Sequence, residues 1–208
     1  DETADKLIKK LIPRVEALKI GPYTSGEDVD FGPVITAASK ANIENLVQTG
    51  IDQGASLVVD GRGFKLQGYE DGFFVGAHLF DNVTTDMDIY KKEIFGPVLS
   101  TVRAKTYEEA IQMAIDHEYG NGTSIFTRDG DTARDFSNRI NIGMVGVNVP
   151  IPVPLAYHTF GGWKKSMFGD LNQHGPDAFK FFTRTKTITS RWPSGIKEGG
   201  EFSIPVME

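Results

Sequence analysis

The chain has 208 residues, 39% of them hydrophobic, with 28 acidic side chains against 22 basic ones, a net charge of −6 and no cysteine. That length supports a core of its own and the composition is ordinary for a globular chain, which excludes disordered, collagen-like and coiled-coil readings. The acidity argues against a general nucleic-acid or anionic-membrane surface, and the lack of cysteine excludes a thiol nucleophile, a thiolate metal site or an iron–sulfur cluster within these residues.

Asp1-Glu2-Thr3 runs directly into a helical pattern, with neither Met nor an apolar leader before it, and reads as a start inside a longer protein. Over residues 3–20, Leu7, Ile8, Leu11, Ile12, Val15 and Leu18 recur at helical spacing, with Pro13 expected to kink the helix and Gly21-Pro22 to stop it. A second helix is expected over 37–53, with Ile43, Leu46, Val47 and Ile51 on one face and Gly54 beyond its end. Strands are expected at 56–59 and 73–80, separated by glycine-rich turns.

From there the pattern alternates. A strand over 97–103 precedes a helix opened by Thr106-Tyr107-Glu108-Glu109, a capping-box sequence, whose Ile111, Ala114 and Ile115 face a core. A strand at 123–127, a short helix at 132–138 and a strand at 144–148 follow. This alternation predicts an α/β domain with a mostly parallel sheet and flanking helices. Residues 140–163 carry no formal charge, but Pro150, Pro152 and Pro154 among several glycines rule out a membrane helix there. In the tail, 183–191 is rich in β-branched residues, yet neither face is apolar enough to lie on a core. It reads either as a solvated edge hairpin or as a strand that pairs across a subunit interface. The basic and aromatic residues around it do not make a nucleic-acid site on so acidic a chain.

Patterns for a self-contained catalyst are missing: no G-x-G-x-x-G, Walker A, G-x-S-x-G or H-E-x-x-H sequence occurs. His78, His117, His158 and His174 share no metal-ligand spacing and read as surface or internally satisfied histidines, so no metal site is expected. Asp86, Asp88 and Glu93 read as solvated carboxylates on an irregular segment. Two stretches ask for more. In Lys91-Lys92-Glu93-Ile94-Phe95-Gly96-Pro97, a carboxylate and a ring two residues apart share one side of an extended segment. The carboxylate can accept both hydroxyls of a ribose diol and the ring can pack a flat heterocycle; a solvated Glu beside a core Phe is the structural alternative. The second stretch is the proline-stiffened loop from Asn148 to Asp170, which ends in Phe160-Gly161-Gly162-Trp163-Lys164-Lys165-Ser166 and is either functional or a buried structural loop.

Glu93-Ile94-Phe95-Gly96-Pro97, the upstream Phe31-Gly32-Pro33-Val34-Ile35, and Asn148 followed by Phe160-Gly161-Gly162-Trp163-Lys164-Lys165-Ser166 resemble, in that order, the C-terminal half of the aldehyde dehydrogenase superfamily. More narrowly, residues 142–154, Phe168-Gly169-Asp170-Leu171-Asn172 and residues 184–192 resemble its CoA-acylating methylmalonate semialdehyde dehydrogenases. Lys165-Ser166-Met167-Phe168-Gly169-Asp170 stands where many acid-forming members continue with Ser-Gly and Gly-Arg-Glu, which favours the CoA-acylating branch.

The resemblance implies residues 1–182 as a catalytic α/β domain lacking its N-terminal portion, and 183–208 as an oligomerisation strand and tail that builds a homo-oligomer, dimer or tetramer. It implies NAD as cofactor and CoA as co-substrate, oxidation of methylmalonate or malonate semialdehyde to propionyl-CoA or acetyl-CoA with release of CO2, and a place in valine or inositol catabolism. Glu93 would hold the nicotinamide-side ribose, Phe95 would pack near the nicotinamide, and Asn148 and Phe160 would lie by the substrate tunnel. The family's nucleophilic cysteine and its dinucleotide-binding domain would lie upstream, so no catalytic residue is expected here and the piece alone would be inactive; Ser166 reads as structural. The implied compartment is the bacterial cytoplasm or the mitochondrial matrix. A CoA-independent aldehyde dehydrogenase and a non-catalytic assembly module stay open as alternatives.

Overall fold

A computed structural model describes residues 2–26, 28–190 and 192. They form two compact units, one of the described residues up to 153 with 161–168 and the other of 154–160 with the described residues from 169 on.

In the first unit, α1 (Glu2–Glu16) carries Pro13 inside it and buries Ile8. It ends earlier than its apolar repeat suggests, because the chain beyond it is taken up by a distant partner. Asp30 N donates to Lys19 O at 2.8 Å, Lys19 N donates to the Asp30 carboxylate at 2.8 Å, and Ile20 bridges Phe31. Helix α2 (Ala37–Asp52) is capped by Thr36, whose Oγ1 accepts from Ser39 N at 3.0 Å, and buries Ile43, Leu46 and Val47 as the spacing predicts.

Strands β1 (Ser56–Val59), β2 (His78–Val83) and β3 (Val98–Val102) form a sheet in the order β1-β2-β3, with β1–β2 antiparallel and β2–β3 parallel. Ile43, Val47, Phe80, Val83 and Ile89 pack together as its core. The strand expected over 73–80 begins only at His78 and runs on to Val83. Residues before it serve another contact: a Cβ on Gly76 would lie 2.3 Å from Gly61 O, so two glycines let the backbones touch where a strand with side chains would clash.

A single helical turn, α3 (Asp88–Lys91), occupies part of the segment read as irregular, with Ile89 buried. Helix α4 (Tyr107–Asp116) is capped by Thr106, whose Oγ1 accepts from Glu109 N at 3.1 Å. Glu109 reaches one residue past the usual capping box, accepting from Lys105 N at 2.7 Å. Strands β4 (Tyr119–Gly120) and β5 (Gly122–Ile125), helix α5 (Gly130–Arg139), then β6 (Met144–Val147) and β7 (Trp163–Lys164) complete the unit. Here β5–β6 is parallel and β4–β7 antiparallel, around a second core of Ile111, Phe136, Ile140 and Ile142. The α/β class holds, but parallel pairing is limited to β2–β3 and β5–β6, and the described strands fall into three separate sheets.

The second unit contains α6 (Asp177–Phe182). Residues 183–190 are exposed and carry no strand assignment. A stretch with no apolar face gains nothing by lying on its own chain, and the strand expected at 183–191 is not formed over 183–190, its described part. Arg191 and residues 193–208 lie outside the described residues. No described helix is long and apolar enough to cross a membrane.

Candidate functional site

The Glu93–Pro97 turn is held from both ends. On one side, Ile89 of α3 is buried and Lys92 N donates to Asp88 O at 2.8 Å. On the other, Pro97 O accepts from His78 N at 2.8 Å as β2 and β3 come into register. Ile94 packs into the core between them, while Glu93 and Phe95 are exposed, Phe95 to 83%. Phe95 lies at φ 56°, so the segment is not extended there, and simple strand alternation does not set the relation of its ring to Glu93. Gly96 follows because a Cβ at that point would sit 2.5 Å from Ile43 Cδ1.

Glu93 has no hydrogen bond or ion pair among the described residues, so its acceptor oxygens are available to a ligand with hydroxyl donors. It lines a cleft of about 490 Å3 with Tyr90, Lys91, Lys92, His117, Tyr119, Asn121, Lys165 and Ser166. Phe95 and Asn148 are not part of that lining. The charges around the cleft are largely paired. Lys92 bonds Asp88 at 2.8 Å and holds its carboxyl below the usual range, and Lys165 pairs with Glu118, lowering the acid and raising the amine. Burial pushes the Tyr90 phenol up, and its hydroxyl donates to Met113 O at 3.1 Å. His117 stacks edge-on to Tyr90; its Nδ1 accepts from Tyr119 N and its Nε2 faces Tyr90 O, both at 3.1 Å, which assigns the proton to Nε2.

Asn148 also lies in the left-handed region, at φ 58°. Its side-chain amide accepts from Thr127 N at 2.9 Å and donates to Thr127 O at 3.0 Å. Both ends of the amide are therefore taken up in joining the end of β6 to the segment after β5, a role its residue type alone did not reveal. Phe160 belongs to the second unit, where its ring stacks on His174 with centroids 4.7 Å apart. Ser166 is structural in its bonding, its Oγ accepting from Gly120 N at 3.0 Å.

Two features escaped sequence reasoning. Lys164, at φ 54°, sends its ammonium to Ala114 O, Ile115 O and His117 O at 3.2, 2.7 and 2.9 Å. A cation there satisfies the open carbonyls at the end of α4 and opposes the negative end of its dipole. The only signal for it was a lysine beside Gly161-Gly162-Trp163. His78, read as surface or satisfied, is instead 1% exposed with neither ring nitrogen hydrogen-bonded. Nothing in its spacing distinguishes it from His117.

The aldehyde dehydrogenase family pattern matches residues 1–188, and the chain is a member of that family. Within it, the chain is 57% identical over 206 residues to the malonate-semialdehyde dehydrogenase of Pseudomonas aeruginosa, a match covering 99% of this chain and 41% of that protein. Among solved structures, a Sinorhizobium meliloti 1021 protein assigned as a methylmalonate-semialdehyde dehydrogenase and complexed with NAD is 70% identical, with TM-score 0.88 over 95% of this chain and 40% of that one. The methylmalonate-semialdehyde dehydrogenase of Oceanimonas doudoroffii is 52% identical, with TM-score 0.85 over 92% of this chain and 39% of that one. The chain thus spans about two fifths of the length of these relatives.

Proposed function

We propose that the chain is the C-terminal portion of an NAD-dependent, CoA-acylating aldehyde dehydrogenase that converts malonate or methylmalonate semialdehyde to acetyl-CoA or propionyl-CoA with release of CO2. The observation that carries this reading is the Glu93–Phe95 turn: a carboxylate with no hydrogen bond or ion pair among the described residues and, two residues on, a ring that is 83% exposed, on a turn anchored by the half-buried Ile94 and by Gly96 close to Ile43. The likeness to the NAD-complexed Sinorhizobium protein and to two semialdehyde dehydrogenases supports the choice of cofactor and substrate.

NAD, when bound, accepts the hydride of the aldehyde carbon. Glu93 accepts hydrogen bonds from the two hydroxyls of the nicotinamide-side ribose, and Phe95 limits where the nicotinamide ring can lie. Phe160 lines the substrate passage, while Asn148 shapes it by holding the loop after β6. The thiol that attacks the aldehyde comes from a part of the protein outside these residues, so residues 1–182 are an incomplete catalytic domain that does not turn over alone. From Thr183 onward the tail pairs with a second copy of the chain to build a homo-oligomer, and the enzyme works in the cytoplasm or, in a eukaryote, the mitochondrial matrix.

The test uses the longer protein that contains this chain. Glu93→Gln removes a charged acceptor and weakens NAD binding by roughly 10- to 100-fold in calorimetry, the worth of a charge-assisted hydrogen bond. Unchanged NAD affinity would remove Glu93 from the ribose. The same protein gives NADH and acyl-CoA from methylmalonate semialdehyde only when CoA is supplied; a free acid formed without CoA would reject the acylating assignment.

A further inference from the structure

Phe160 closes the segment 154–160, and His174 belongs to the strand-free stretch that leads into α6. Their rings meet almost parallel, 4.7 Å between centroids and 11° between planes. Both side chains are half-buried, and His174 makes no hydrogen bond or ion pair among the described residues. What the imidazole offers its neighbours is therefore the face of its ring rather than its nitrogens.

The backbone around the pair is fixed independently. Gly175 N donates to Ala156 O at 3.0 Å, and Asp177 N approaches Thr159 Oγ1 at 3.5 Å. Gly175 sits at φ 65°, and a Cβ on it would lie 2.3 Å from Thr159 N and 2.4 Å from the His158 carbonyl carbon. Only a glycine lets the 174–177 stretch press so closely on the 158–159 backbone. The two segments are thus clamped through main chain, which holds the His174 and Phe160 rings within stacking reach.

We infer that His174 is a positioning residue that fixes the plane of the Phe160 ring on the substrate side of the enzyme. The inference rests on the reading of Phe160 as substrate-lining. An isolated phenyl ring rotates about its terminal torsion, and a ligand that packs on it must first arrest that motion. A ring already stacked on a second flat ring presents one orientation, so the ordering is done before the substrate arrives. Such a wall acts on ground state and transition state alike, and its loss raises KM while leaving kcat in place.

Kinetics on the longer protein with methylmalonate semialdehyde test this. His174→Ala raises KM about two- to tenfold, the range for losing one aromatic pair, with kcat unchanged. His174→Phe keeps a flat ring without nitrogens and restores the wild-type KM. Where the alanine variant does not fold, His174→Leu, which fills the space without a flat face, takes its place with the same expected rise. An unchanged KM in His174→Ala while Phe160→Ala raises it would overturn the inference, as would a loss that Phe does not restore. If Phe160→Ala itself leaves KM unchanged, Phe160 is not on the substrate side and the inference falls with that reading.

Discussion

His78 sits at the head of β2, 1% exposed, with both ring nitrogens unpartnered. Asp60 and the Pro97 and Gly76 carbonyls favour its charged form and Arg62 opposes it, but burial dominates and pushes the imidazole below its ordinary 6.5. In the native chain it is therefore neutral where the unfolded chain already binds a proton. Between the lowered native value and 6.5 the unfolded state holds more protons, so stability rises with pH through that window and levels off above it. The carboxylates do not act there: Asp60 and Asp81, held below their ordinary 3.8 by Arg62 and Arg103, lose their contribution only in stronger acid. Urea unfolding of the chain at intervals from pH 5 to pH 7 will show a loss of stability on acidification, and His78→Leu will flatten it. An unchanged slope in the variant would place the titration elsewhere.

Among the elements, the contact that decides the site is the one between α2 and the Glu93–Pro97 turn. Ile43 is 1% exposed, and a Cβ on Gly96 would meet its Cδ1 at 2.5 Å and its Cγ1 at 2.8 Å. Gly96→Ala overpacks this spot and lowers stability by about 1–3 kcal/mol in denaturant unfolding. Adding Ile43→Val, which removes Cδ1, recovers part of that loss; strictly additive effects would show that the two do not meet. A second tie joins elements distant in sequence: Arg103, after β3, bonds the buried Asp81 of β2 through two nitrogens at 2.9 and 2.6 Å and Asp5 of α1 at 2.7 Å. Arg103→Ala leaves Asp81 buried and unpaired and lowers the unfolding midpoint well below that of Asp5→Asn, which removes only an exposed partner. Equal midpoints for the two variants would show that Asp81 does not depend on Arg103.

At the scale of the whole molecule, the tail is the part that one chain does not explain. Phe179, Phe182 and Ile188 are 78%, 72% and 79% exposed, and residues 183–190 belong to no strand among the described residues. Under the proposed function this surface meets a second copy of the chain. Deleting residues 183–208 is expected to leave the far-ultraviolet circular dichroism of the rest in place and shift the mass in light scattering to that of a single chain. A deletion variant that keeps the parent's mass would reject the tail as the assembly element.

Periodicity and local chemistry made much of the fold legible in the sequence: the buried face of α2, the threonine caps of α2 and α4, and the alternation from β3 to β6 all depend on residues a few positions apart. Tertiary structure decided the rest. It set where α1 stops, because Lys19 finds Asp30; it engaged the Asn148 amide with Thr127, stacked His174 on Phe160, and left His78 buried without a partner. Propensity and spacing act over a turn or a strand, whereas burial, close backbone approach and the satisfaction of a polar group depend on which distant segment arrives beside it.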